Sequence, residues 1–145
     1  MRTDTRTLSK DHLAELRNSG LSDESIESSG VYSEYATGRV GAIIGWSPPI
    51  TYVPALVFPF TDSAGLPTGF ARIKPAKPRR NAESKPVKYE QPVGEFARAY
   101  FTHRAIEALP SPENRIYITE GEKKALSMAE HIGPTIGLCG VWNWQ

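Results

Sequence analysis

The chain has 145 residues, 39% of them apolar, with three Trp, six Tyr and five Phe. That is enough for one domain or two small subdomains with a core. A net charge of +1 says nothing about partners by itself, and a single cysteine, Cys139, excludes a disulfide framework or a cysteine-rich zinc site. No apolar run is long enough to span a bilayer and the first residues lack a signal core, so a cytoplasmic protein with no membrane partner is expected.

Residues 1–7 are polar and read as a frayed end. Two short helices follow. Ser9 caps the first, Leu8 precedes it as a staple, Leu13 and Leu16 give it an apolar side, and Gly20 stops it. Ser22 caps the second, Ile26 anchors it and Gly30 closes it. The pair is the size of a helix-turn-helix. Its second helix carries Asp23, Glu24 and Glu27, however, and phosphates would repel it, so it reads as a packing element. Residues 31–35 suggest a short strand. Residues 36–49 are rich in glycine, end in Ser-Pro-Pro, and read as a loop whose Ile43, Ile44 and Trp46 fold back onto the core.

Residues 55–60 form the strongest strand pattern, with Pro59 marking an edge or a bulge. Turn residues at 62–65 lead to a returning strand over 69–74, where Phe70, Arg72 and Lys74 share one face and Ala71 and Ile73 the other. Between residues 72 and 88 stand Arg72, Lys74, Lys77, Arg79, Arg80, Lys85 and Lys88, opposed by Glu83 alone. Seven positive charges against one leave +6 locally and −5 for the rest of the chain. Pro75, Pro78 and Pro86 exclude a helix or regular strand, so an extended, mobile basic loop is expected. Such a loop can follow a phosphate backbone, and Tyr89 offers a ring for base stacking. A solvated linker is the plainer alternative.

Residues 95–103 lead into a helix or strand ending near Leu109. Then Ile116, Tyr117 and Ile118 read as a buried strand, Gly121 as a sharp turn, and Ala125, Leu126, Ala129 and Ile132 as one helical stripe. This holds the carboxylate Glu120 at the carboxyl end of a strand, where open α/β sheets place their chemistry. Residues 135–139 read as a second strand, parallel to the first through a right-handed crossover. Gly140 gives a backbone position close to a bound phosphate or metal. Trp142 and Trp144 share a face and either stack on a nucleotide or belong to a core. His12 reads as a helix-surface residue, His103 as lying amid aromatics, and His131 as a helix end suited to the dipole. Cys139 reads as a small strand residue.

Ile118-Thr-Glu-Gly-Glu-Lys-Lys-Ala125, followed by Gly137-Leu-Cys-Gly140 and Val-Trp-Asn-Trp144, resembles the opening of the Toprim-like domain of plasmid and phage replication proteins. The pattern Leu8-Ser-x-x-His-Leu-x-x-Leu16-x-x-Ser-Gly-Leu-Ser22 resembles the front of the same proteins. The order Leu56-Val-Phe-Pro-Phe60, Asp62-x-x-Gly65, Gly69-Phe-Ala-Arg-Ile73 and Lys88-Tyr89 resembles bacterial-type primase cores, in which a basic subdomain guides template to the metal site. The proline- and lysine-rich insertion departs from that pattern.

The resemblance implies an α+β chain in three segments: a helical segment over 1–35, a basic β-rich subdomain over 36–110, and an incomplete Toprim-like β-α-β unit over 111–145. It implies Glu120 as the catalytic acid/base or one Mg²⁺ ligand. It also implies Arg72, Lys88 and Tyr89 as template contacts; Lys74, Lys77, Arg79, Arg80 and Lys85 match no motif and read as supporting charge. Lys123 and Lys124 read equally as phosphate contacts or surface charges. The family's Asp-x-Asp metal pair is not in this sequence, which leaves the metal site incomplete and the chain inactive alone. The expected function is the N-terminal part of a primase or primase-helicase that binds single-stranded DNA or RNA, with a helicase domain as partner. The alternative is a non-catalytic nucleic-acid-binding or inhibitory module.

Overall fold

The computed structural model describes residues 7–140. The expectations for residues 1–6 and for Trp142 and Trp144 lie outside them. Among the described residues are five helices and two three-stranded sheets, a mixed α+β fold. No helix there is long and apolar enough to cross a membrane.

Helices α1 (Lys10–Asn18) and α2 (Asp23–Ser29) form as their caps predict. Ser9 accepts from the His12 amide and Ser22 from the Ser25 amide, while Gly30 ends α2 in the left-handed region. Strand β1 (Tyr32–Glu34) follows. Next comes α3 (Thr37–Ile44), where a loop was expected. Two glycines weaken its helix propensity, but Val40 and Ile44, one turn apart, are fully buried and outweigh it. Glu34 also helps by accepting the Ala36 amide just ahead of the helix. Ile43 and Trp46 pack on the core as expected, and Trp46 meets Tyr52 edge-on at 5.5 Å.

Strands β2 (Ala55–Thr61) and β3 (Pro67–Lys74) complete an antiparallel sheet in the order β1-β2-β3. Pro59 therefore lies on the central strand, and its missing donor is absorbed by a register shift between Pro59 and Thr61. Alternation along these strands feeds two cores. Leu56, Phe58, Phe60 and Phe70 face α1 and α2, whereas Ala55, Val57, Ala71 and Ile73 face α3. The first core also takes Leu16 and Ile26 from the N-terminal helices and Ala125 and Leu126 from beyond residue 111. The three segments read from the sequence thus share one core.

After β3 the basic stretch contains no helix or regular strand, in keeping with its prolines. It is not extended, however. Asn81 accepts the amides of Glu83 and Lys85 through its side chain, and Arg80 bridges Pro86, so the ribbon doubles back.

The second sheet has the order β4-β6-β5. Strand β4 (Tyr100–Phe101) runs into α4 (His103–Ala108), β5 (Tyr117–Glu120) into α5 (Glu122–His131), and β6 (Thr135–Leu138) lies parallel to β5 as expected. Two expectations fail here. Strand β5 is an edge strand, so Ile118 is 65% exposed. On α5, Ala125, Leu126 and Ala129 are buried but Ile132, past the helix end, is 57% exposed. His103 is not amid aromatics either; it pairs with Glu107 on an exposed helix face.

Candidate nucleic-acid interface

The β5–α5 turn is built on two glycines. Gly121 has φ 88° and ψ 151°, a region open only to glycine, and its amide donates to the Leu138 carbonyl at 2.8 Å. Opposite it on β6, a Cβ on Gly137 would stand 2.9 Å from the Gly121 oxygen and 3.0 Å from the Ala125 Cβ. Sheet and helix approach closely because Gly137 has no side chain, while Gly121 is needed for its backbone conformation. Among the described residues no side chain caps the start of α5, and its first turn with its positive dipole end lines the surface in front of Glu120.

That surface is a groove of about 620 Å³. Arg72 and Lys74 reach it from β3, Lys88 and Tyr89 from the returning end of the ribbon, and Glu120, Lys123 and Lys124 from the β5–α5 turn. Gly140 lies at its margin, with φ 97°. Seven of the residues singled out from the sequence are thus brought together.

The rest of the ribbon goes elsewhere. Arg79 donates to Glu90, a carboxylate only 6% exposed, at 2.6 Å, and Tyr52 donates to the same oxygen. Arg80 bonds the Ser84 carbonyl and Lys85 pairs with Glu83 at 3.0 Å. Lys77 uses its amide on the Thr51 carbonyl. None of these four lines the groove. For Arg79, Arg80 and Lys85 the cause is local: each side chain is engaged by Glu90, Ser84 or Glu83 close by in the chain.

Arg72 is only partly a groove residue. Its Nη1 donates to Glu122 Oε1 at 2.7 Å, and the side chains are 13% and 1% exposed. Its guanidinium also lies over the Tyr89 ring, 5.3 Å from the centroid. Burial alone would lower the Arg72 pKa, but the Glu122 carboxylate raises it above the ordinary value. Tyr89 packs on Phe58, and burial pushes its phenol up to about 12. One face of this ring is therefore committed to Arg72. The Cys139 thiol donates to the Arg98 carbonyl, and burial pushes it up to about 11, so it stays protonated at neutral pH, as suits a packing residue.

Two charged residues of the site were not found from the sequence. Glu122 stands two residues after Glu120, in the first helical turn where the dipole favours a carboxylate, and that placement was a usable signal. Glu15, on α1, had none. Its Oε1 accepts from Lys123 Nζ at 2.8 Å and also from Lys74 Nζ. Burial raises the Glu15 pKa, but the two ammonium groups outweigh it and hold it below the ordinary 4.5. One turn earlier, His12 Nδ1 meets Ser33 Oγ at 2.7 Å, and burial holds it below 6.5 against the pull of Glu15.

Both shifts make the fold acid-sensitive. A depressed folded-state pKa contributes stability above the unfolded value and loses it as pH falls through the folded one. The melting temperature should therefore be flat above pH 6.5, fall below it as the unfolded state takes up a proton at His12, and fall again below pH 4.5 through Glu15. A melting series from pH 8 to pH 4 checks this. His12→Gln should remove the upper limb alone, and a curve flat between pH 7 and pH 5 would contradict the assignment.

Compared with protein-family models, with curated proteins and with solved structures, the chain matches none of them.

Proposed function

We propose that this chain binds single-stranded nucleic acid along the groove in front of Glu120, as the N-terminal part of a Toprim-type replication protein, a primase or primase-helicase. The observation that carries the reading is the convergence of Lys74, Lys88, Lys123 and Lys124, from three separate parts of the chain, on one concavity that ends at the uncapped start of α5. Clustered ammonium groups release counterions when they meet a phosphate backbone, and helix amides favour the same ligand. The strand–turn–helix with Glu120 at the strand end, the parallel return strand and the preceding antiparallel sheet support the resemblance noted in the sequence.

Mg²⁺ accompanies that resemblance. Among the described residues the groove offers one uncommitted carboxylate, Glu120, because Glu122 is held by Arg72. Mg²⁺ takes several hard oxygen ligands. These residues do not make up its site by themselves, and no catalytic step is assigned to them. Single-strand binding is the function proposed for the groove.

The test is the affinity for a fluorescent oligothymidylate as salt is raised. Four lysines, offset by the one Glu15 carboxylate between Lys74 and Lys123, predict a log–log slope of about −2, or roughly a 20-fold loss between 50 and 200 mM salt. Lys88→Ala should weaken binding about fivefold and reduce the slope by about 0.7. Binding that is insensitive to salt and to Lys88→Ala would end the proposal.

A further inference from the structure

Lys74 on β3 and Lys123 on α5 converge on a single oxygen, Oε1 of Glu15. The three side chains are only about a quarter to a third exposed, at 32%, 28% and 26% respectively. Two ammonium groups on one anionic oxygen, beside a helix N-terminus, are the coordination a phosphodiester oxygen would take. The carboxylate is nonetheless not what holds α1 in place. Leu16 is fully buried in the first core, Leu13 packs against it, and Ser33 Oγ bonds both the Ser9 amide and His12. Glu15 can therefore swing out about its own side-chain bonds while α1 stays docked.

We propose that Lys74 and Lys123 form a phosphate subsite and that Glu15 occupies it in the absence of the strand. Entry of a strand exchanges one carboxylate for one phosphodiester, with no bond made or broken. The exchange keeps both lysines paired in the free protein and weakens capture of short or isolated phosphates, because every ligand must first displace a tethered competitor. This inference rests on the single-strand reading above and adds a residue from α1 to that site.

The experiment is a double-mutant cycle on the full chain, with Glu15→Gln and Lys123→Gln alone and combined, read as anisotropy of a labelled oligothymidylate over a salt series. Glu15→Gln should tighten binding about five- to tenfold and steepen the salt slope by about 0.7, the share of the one positive charge that Glu15 offsets. Lys123→Gln should cost less than twofold in the wild type and about tenfold in the Glu15→Gln background. If Glu15→Gln fails to fold, Glu15→Asp replaces it. Its shorter side chain cannot reach both lysines, and tighter binding is again expected. Unchanged or weaker binding by the Glu15 variants, with Lys123→Gln costing the same in both backgrounds, overturns the inference. In that case a wild type still weakened by Lys88→Ala leaves the single-strand reading standing. A wild type that binds no oligothymidylate removes both.

Discussion

Arg72→Ala is expected to cost about 3–5 kcal/mol of folding stability, measured by urea denaturation monitored on tryptophan fluorescence. The loss arises at Glu122. This carboxylate is 1% exposed, and Arg72 Nη1, at 2.7 Å, is its charge partner. The Cys139 sulfur, 3.7 Å from the same oxygen, is a weak donor. Removing the guanidinium leaves a carboxylate that is 1% exposed without its charge partner, and breaking a buried pair from one side is far more damaging than never having built it. The control follows from the same physics. Arg72→Met combined with Glu122→Gln removes both charges and should recover most of the loss. A loss below about 1 kcal/mol for Arg72→Ala would mean that the pair is solvated after all. The result also separates the cations of the groove: Arg72 is needed to build its floor, so its removal cannot report on binding alone, whereas Lys88 makes no ion pair among the described residues and can.

Gly137→Val should destabilise the fold by about 3 kcal/mol and disturb the groove with it. A Cβ at this position stands 2.9 Å from the Gly121 carbonyl oxygen, and Val adds two methyl groups to it. The oxygen has little freedom to retreat. It accepts the Ala125 amide at 3.1 Å in the first turn of α5, and the Gly121 amide is tied to Leu138 at 2.8 Å. Relief must come from pushing α5 off the sheet, which moves Lys123 and Lys124 relative to Glu120. Thermal melts should show the loss, and oligothymidylate affinity should fall well below the wild type at temperatures where the variant is still folded. Near-wild-type stability would show that the helix and strand can part without cost.

Much of the fold was legible because its signals are local. Serine caps at 9 and 22, two-residue alternation through 55–60 and 69–74, and the glycine turn before α5 act within a few residues, so neighbouring sequence is enough to read them. Helix α3 was missed for the opposite reason: its glycines argue against a helix locally, and only burial of Val40 and Ile44 against the distant β2–β3 sheet reverses that. The edge position of β5 was missed because a strand does not encode how many neighbours it will have.

The candidate site divides in the same way. By itself the sequence determined a cationic stretch, its interruption by prolines, and a carboxylate where a strand turns into a helix, since composition and short spacings suffice for these. Only the tertiary structure decided which cations face that carboxylate. Lys74, Lys88, Lys123 and Lys124 do, while Arg79, Arg80 and Lys85 are spent on Glu90, Ser84 and Glu83. It also decided that Arg72 answers to Glu122, 50 residues away, and that Glu15 reaches Lys123 across 108. Charge pairing depends on distance through space, and residues so far apart in the chain meet only once the two sheets and α1 have packed on a common core.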